Sequence, residues 1–237
     1  MTRRFLFVLG SARLNGNTEL LARRAAEQLP PDTEQEWIRL ADHPLPDFLD
    51  IRHDGTADTP DSAGTVGPVQ PDENPTIRQL LDATLAATDI VIASPVYWYS
   101  LSGLTKRYLD YWSDWLRVPG ADFKATMAGR TLWGVSALAD DQPVVADPLI
   151  GTLNNSAAYL KMRFGGVLLG NGSAPGDVLK DTEALTQAKT FFTQEAPLAR
   201  FPFENVTASP RNHVTASPRN RVTTEPRHRV TTQPPTP

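Results

Sequence analysis

Two short stretches carry residues whose types and spacing suit chemistry. The first is Gly10-Ser11-Ala12-Arg13-Leu14-Asn15-Gly16-Asn17-Thr18. It lies between an apolar run and a helical pattern, so it leads into a helix N-terminus, where unpaired N–H groups and the dipole favour an anion. Ser11, Asn17 and Thr18 add short side-chain donors, and Arg13 adds a planar fork that suits phosphate oxygens. Gly10 and Gly16 are expected to let the backbone turn and approach a ligand. The competing reading is a tight turn closed by an Asn or Thr helix cap. The stretch has neither the GK[ST] of a nucleotide P-loop nor the GxGxxG dinucleotide fingerprint.

The second stretch is Ser94-Pro95-Val96-Tyr97-Trp98-Tyr99-Ser100-Leu101-Ser102-Gly103. Three consecutive aromatics cannot all enter one core, so the loop is expected to offer a surface to a flat ligand. Ser100 and Ser102 can cap the following helix or donate to a ring heteroatom. The competing reading is aromatic packing against that helix, whose Tyr108, Tyr111, Trp112 and Trp115 suit a core or an interface.

The elements that must position these loops alternate strand and helix. Arg4–Leu9 is a buried-type strand ending at Gly10. Residues 18–29 have apolar positions 20, 21, 25 and 29 and stop at Pro30-Pro31, which predicts a helix. Strands are expected at 36–40, 89–94, 131–136 and 166–169, and helices at 76–87, 103–116, 147–160 and 180–195. Five strands separated by helices predict a parallel sheet covered on both faces, an α/β three-layer sandwich. With strand order 2-1-3-4-5, a crevice opens at the carboxyl ends of strands 1 and 3. The phosphate-type loop follows strand 1 and the aromatic loop follows strand 3, so both fall at that crevice.

On GSARLNGNT (10–18) and SPVYWYSLSGLTKRYLDYW (94–112), with the element order over about 1–197, the chain resembles the NAD(P)H-dependent FMN reductase family of the flavodoxin-like superfamily. The resemblance implies FMN with its phosphate at Ser11, Arg13, Asn15, Gly16, Asn17 and Thr18. It implies ring contacts at Pro95, Val96, Tyr97, Trp98, Tyr99 and Ser100, and a third contact at Ser136 and Ala137. It also implies NAD(P)H as co-substrate, a quinone, azo compound or flavin as acceptor, and a homodimer or higher homo-oligomer. No side chain is expected to act as a catalytic nucleophile, because the flavin carries the chemistry. The first loop also resembles that of iron–sulfur flavoproteins, which place a cysteine cluster between strand 2 and helix 2. This chain has no cysteine, which excludes such a cluster, disulfides and thiol catalysis together.

The expected organisation is a flavodoxin-like domain over 1–200 with an irregular Pro, Asp and Gly-rich insertion over about 43–75. After it, 203–237 reads as a disordered tail of a degenerating octapeptide. Val206, Val214, Val222 and Val230 recur in step with Pro210, Pro218, Pro226 and Pro234. The tail carries +3 and the remainder −7 of a total −4, so no strong field favours nucleic acid. The apolar run after Arg3-Arg4 is too short for a signal peptide, and none reaches the roughly 18–20 residues that span a bilayer. A cytoplasmic protein is expected. His43, His53, His213 and His228 show no metal spacing. Rival readings are a flavodoxin-like electron carrier, a flavin-binding module, and a hydrolase or phosphate-binding scaffold. The last predicts a colourless protein.

Overall fold

The computed structural model describes residues 2–50 and 71–201. Most of the insertion expected at 43–75 and the whole tail expected at 203–237 lie outside the described residues.

Five strands form one parallel sheet of order β2-β1-β3-β4-β5, as expected. They are β1 (Arg4–Leu9), β2 (Glu34–Arg39), β3 (Asp89–Ala93), β4 (Thr131–Leu138) and β5 (Arg163–Asn171). β1 pairs β2 from Arg4↔Glu34 to Leu9↔Arg39, and pairs β3 from Phe5↔Asp89 to Leu9↔Ala93. The connection therefore reverses between β1 and β3. β1 and β3 are buried on both faces, so their side chains divide between two cores. Leu6, Val8, Ile90 and Ile92 face α2 (Pro75–Ala86), α3 (Gly103–Trp115) and α5 (Asp147–Tyr159). Phe5, Phe7, Leu9, Val91 and Trp133 face α1 (Asn17–Ala26) and α6 (Thr182–Ala188).

The aromatics of α3 belong to the first core. Tyr108 and Trp115 are fully buried, and Tyr111 and Trp112 nearly so. The Tyr108 hydroxyl shares a hydrogen bond with Thr84 of α2 at 2.7 Å. Burial pushes its pKa up to about 12, and the Thr84 bond opposes that only in part. This run packs inward, so it gives no support to a subunit interface.

Three elements differ from expectation. The C-terminal helix is shorter than 180–195, because Phe191 and Phe192 both enter the core against Phe5, Phe7 and Trp133. The helix stops at Ala188, and a 3-10 turn over Phe191–Thr193 carries both rings inward. β5 begins at Arg163, ahead of the glycine pair that obscured it. A Cβ on Gly165 would lie 2.1 Å from the Trp133 ring, so glycine there makes room for an indole. The short helix α4 (Phe123–Met127) has five residues and leaves no period to read. Among the described residues, no helix is long and apolar enough to cross a membrane.

Candidate functional site

The phosphate-type loop leaves β1 at its carboxyl end and enters α1. The N-cap of α1 is Gly16, and no side chain caps it. By contrast, Asn74 caps α2 and Ser102 caps α3. The reading of this loop as an Asn- or Thr-capped turn therefore fails. The first bond within α1 runs from the Leu20 N–H to the Gly16 carbonyl. Among the described residues, the N–H groups of Asn17, Thr18 and Glu19 have no hydrogen-bond partner, as an anion site requires.

Other bonds hold the loop in shape. Ser11 Oγ accepts the Arg13 N–H at 3.1 Å, and Glu19 accepts the Asn15 N–H at 3.1 Å. Asn15 supplies the left-handed turn, with φ 50°. Gly16 sits at φ −69°, so it is not the turning residue expected. The Glu19 carboxylate also takes both Nε and Nη2 of Arg23, which offsets a negative charge beside the open N–H groups. Arg13 is exposed, and its guanidinium makes no hydrogen bond among the described residues.

The aromatic loop is a two-residue hairpin. Tyr97 and Ser100 exchange both backbone bonds, at 3.0 and 3.1 Å. Trp98 and Tyr99 at its tip have φ 50° and 66°. Such a turn ordinarily takes Asn-Gly, and two bulky residues in the left-handed region are strained. The turn leaves Trp98 94% exposed, Tyr99 59% and Tyr97 54%. These aromatics are displayed, as expected, rather than packed on α3.

The two loops are joined directly. Ser102 Oγ donates to the Gly10 carbonyl at 2.6 Å and accepts the Thr105 N–H. A Cβ on Gly10 would lie 1.8 Å from Thr105 Oγ1, so only glycine allows this approach. Ser94 Oγ accepts the Ser102 N–H at 3.0 Å. Ser102 is thus the helix cap, and Ser100 is not.

Between the loops lies a cleft of about 190 Å³ bordered by Ser11, Arg13, Gly16, Asn17, Thr18, Pro95, Val96, Tyr97, Ala137 and Gly172, among others. An adjoining hollow of about 260 Å³ shares Val96 and Ala139 with it and is walled by Trp98, Tyr99, Leu138, Asp140 and Val145. Ser136 does not border either space. It is fully buried and donates to the Ser94 carbonyl at 2.7 Å, so it braces the start of the aromatic loop. The Asn17 side chain is also committed elsewhere. Its amide donates to the Gly172 and Ala174 carbonyls at 2.9 Å, and its oxygen accepts the Gly176 N–H at 2.8 Å. Asn17 thereby pins the segment after β5 as a third wall, leaving its backbone N–H for an anion.

Sequence reasoning missed that wall. Its small-residue run Gly172-Ser173-Ala174-Pro175-Gly176 follows a strand at the carboxyl edge, which was a usable signal. Asp177 fixes it by accepting from Lys180 at 2.9 Å and from the Ala174 N–H at 2.7 Å. The Lys180 bond first, and then the backbone bond, hold the Asp177 carboxyl below its usual range. Near this edge, Asp141 accepts from Asn171, and Asp140 accepts the Gln142 N–H. His43 bonds the Arg39 carbonyl, and the other histidines lie outside the described residues.

A larger hollow of about 630 Å³ opens at the opposite, amino edge of the sheet. Its buried carboxylate and its arginines are already engaged. Asp89 holds Arg3, Thr88 and Trp133, Arg130 caps the carbonyl end of α2, and Arg163 donates to the Ala196 carbonyl. Size alone therefore does not mark the site.

The open helix end, the free Arg13 fork and the displayed aromatics fit FMN: an anion at one lip and a planar ring at the other. Fold and cleft together define a flavodoxin-like, FMN-binding α/β protein. The model of the NADPH-dependent FMN reductase family matches residues 3–146, and the chain belongs to that family. A Bacillus subtilis (strain 168) protein named as an NAD(P)H-dependent FMN-containing oxidoreductase, YwqN, is 32% identical over 180 residues, covering 76% of this chain and 91% of that one. The solved Trp repressor binding protein from Bacillus subtilis is similar at TM-score 0.60 and 25% identity, covering 81% of this chain and 99% of that one. An FMN-dependent NADH-azoreductase from Bacillus anthracis, solved with FMN, shares the fold at TM-score 0.53 and 13% identity over 79% of this chain and 96% of that one. The chain is thus an FMN-dependent oxidoreductase that uses NAD(P)H.

Proposed function

We propose that this protein passes hydride from NAD(P)H, by way of FMN, to a flat small-molecule acceptor: a quinone, an azo compound or a second flavin. The observation that carries the reading is the hollow of about 260 Å³ beside the FMN cleft, walled by Trp98, Tyr99 and Val145. A second planar molecule needs such room against the ring, whereas an electron carrier does not. Hydride transfer requires the two reacting atoms about 3–3.5 Å apart, so a rigid wall that orders the incoming ring contributes by positioning.

In this reading Ser11, Arg13, Asn15, Gly16, Asn17 and Thr18 form the phosphate lip. The backbone N–H groups of α1 and the Arg13 fork do the binding, and the Asn17 side chain shapes the wall. Pro95, Val96, Tyr97 and Ser100 support the ring, with Ala137 opposite and Ser136 bracing from behind. Trp98 and Tyr99 face the acceptor. Bound FMN supplies the hydride-accepting and hydride-donating ring. The protein holds the phosphate, orients the ring and excludes water, no side-chain nucleophile is needed, and the proton that accompanies hydride to the acceptor comes from solvent. A homodimer or higher homo-oligomer in the cytoplasm completes the proposal.

The test is anaerobic mixing of the yellow protein with NADPH or NADH in a stopped-flow instrument, followed by a panel of acceptors. Rapid bleaching followed by acceptor-dependent recovery is expected. Bleaching that is slow with both nucleotides would favour the carrier instead. Size-exclusion chromatography with light scattering reads the oligomeric state.

A further inference from the structure

We infer that Arg39, at the carboxyl end of β2, is a positioning residue that sets the orientation of one peptide unit in the phosphate lip. The inference rests on the proposal that the 10–18 loop holds the FMN phosphate. Arg39 Nη2 donates to the Ala12 carbonyl at 2.7 Å, and its Nη1 donates to Asp42 at 2.7 Å. The same Ala12–Arg13 peptide unit donates its N–H to Ser11 Oγ at 3.1 Å.

A trans peptide points its C=O and N–H in opposite directions. Bonds at both ends therefore lock this plane against rotation. Ala12 is exposed, so nothing in the core holds the plane. With its carbonyl drawn toward Arg39, the unit cannot turn that partial negative charge toward the anion site. Without Arg39 only the Ser11 bond remains, and a flipped peptide would present an oxygen to the phosphate.

Arg39 is poorly explained as a prop for β2 itself. Its Nε–H is buried with no partner among the described residues, which is a cost. Asp42, by contrast, is largely exposed and orients the guanidinium from the solvent side. The planar fork is what allows one side chain to serve Asp42 and Ala12 together. An ammonium at this position offers the charge without the fixed geometry.

The experiment compares FMN and riboflavin binding to apoprotein by flavin fluorescence quenching, in the parent, Arg39→Met, Arg39→Lys and Asp42→Asn. Riboflavin lacks only the phosphate. Arg39→Met is expected to raise the FMN dissociation constant about tenfold and to leave that of riboflavin within about twofold. The Arg13 amide of the apoprotein should also exchange faster with deuterium. Arg39→Lys should fall between parent and Met, and Asp42→Asn should shift FMN alone by a smaller factor. Asp42→Asn decides the matter if Arg39→Met does not fold. Equal losses for both flavins would make Arg39 a general structural residue and overturn the inference. Full recovery with Lys would assign the effect to charge and overturn the orienting role. A parent protein that binds both flavins equally would remove the phosphate reading of the loop, and the inference with it. A parent preference for FMN that survives Arg39→Met would remove the inference alone.

Discussion

The two edges of the sheet treat their polar groups in opposite ways. At the amino edge the charges and donors close on one another: Asp89 takes bonds from Arg3 at 3.0 Å, Thr88 at 2.8 Å and Trp133 at 2.9 Å. At the carboxyl edge the helix end of α1 is left without a cap, the Arg13 fork is free, and a strained turn holds aromatics in solvent. The first arrangement is what burial demands of a charge. The second is what an anion and a flat ring would complete in the proposed site. The proposed site thus rests on open and strained groups rather than on cavity size, since the larger hollow lies at the other edge.

The sharpest way to break this contrast is Asp89→Ala. It leaves Trp133 Nε1 and Arg3 without their partner. We expect a loss of about 3 kcal/mol of unfolding free energy, the low end for a broken buried pair because Arg3 is partly exposed. Urea denaturation measures it. FMN affinity of the folded fraction should hold within about twofold.

Replacing Trp98-Tyr99 by Asn-Gly tests the other edge. Relief of two left-handed bulky residues should stabilise the apoprotein by about 1–2 kcal/mol while acceptor kcat/KM falls. A loss of stability would show that the turn is not strained. Arg13→Ala comes next. It should weaken FMN by roughly tenfold, about 1.4 kcal/mol, with apoprotein unfolding unchanged. Matching titration curves for parent and variant would take Arg13 out of the site.

The smallest effect concerns the wall after β5. The folded pKa of Asp177 lies below its ordinary 3.8, so the stability it lends is present above that value and is lost as pH falls through the depressed one. Asp177→Asn should lower stability slightly in the neutral range, match the parent below the depressed pKa, and so flatten the acid side of the profile, by thermal melts across pH.

Much of this was legible in the chain. The five strands and both loops follow from apolar runs such as Phe5–Leu9 and from what interrupts them, and the strand order with its crevice comes with the family resemblance. The aromatic loop was legible because three adjacent rings cannot share a core. The rest depends on tertiary pairing. Asn17 looks like a phosphate donor until Gly172 and Gly176 are seen to occupy its side chain. Ser136 looks like a lining residue until its hydroxyl is found on the Ser94 carbonyl. Arg39 gives no local sign at all, since its partner Ala12 is 27 positions away. The short α6 was hidden because Phe191 and Phe192 fit a helical period as well as they fit the 3-10 turn that buries them.

The staple between Gly10 and Ser102 carries one more consequence. It is made of backbone and a short hydroxyl, with Thr105 filling the space a Cβ would need. Nothing in it is long enough to stretch. In the proposed site, the span from phosphate lip to ring lip would therefore behave as a ruler cut to one length. Loop substitutions that respect the staple can retune what docks above the ring without changing which cofactor measures correctly.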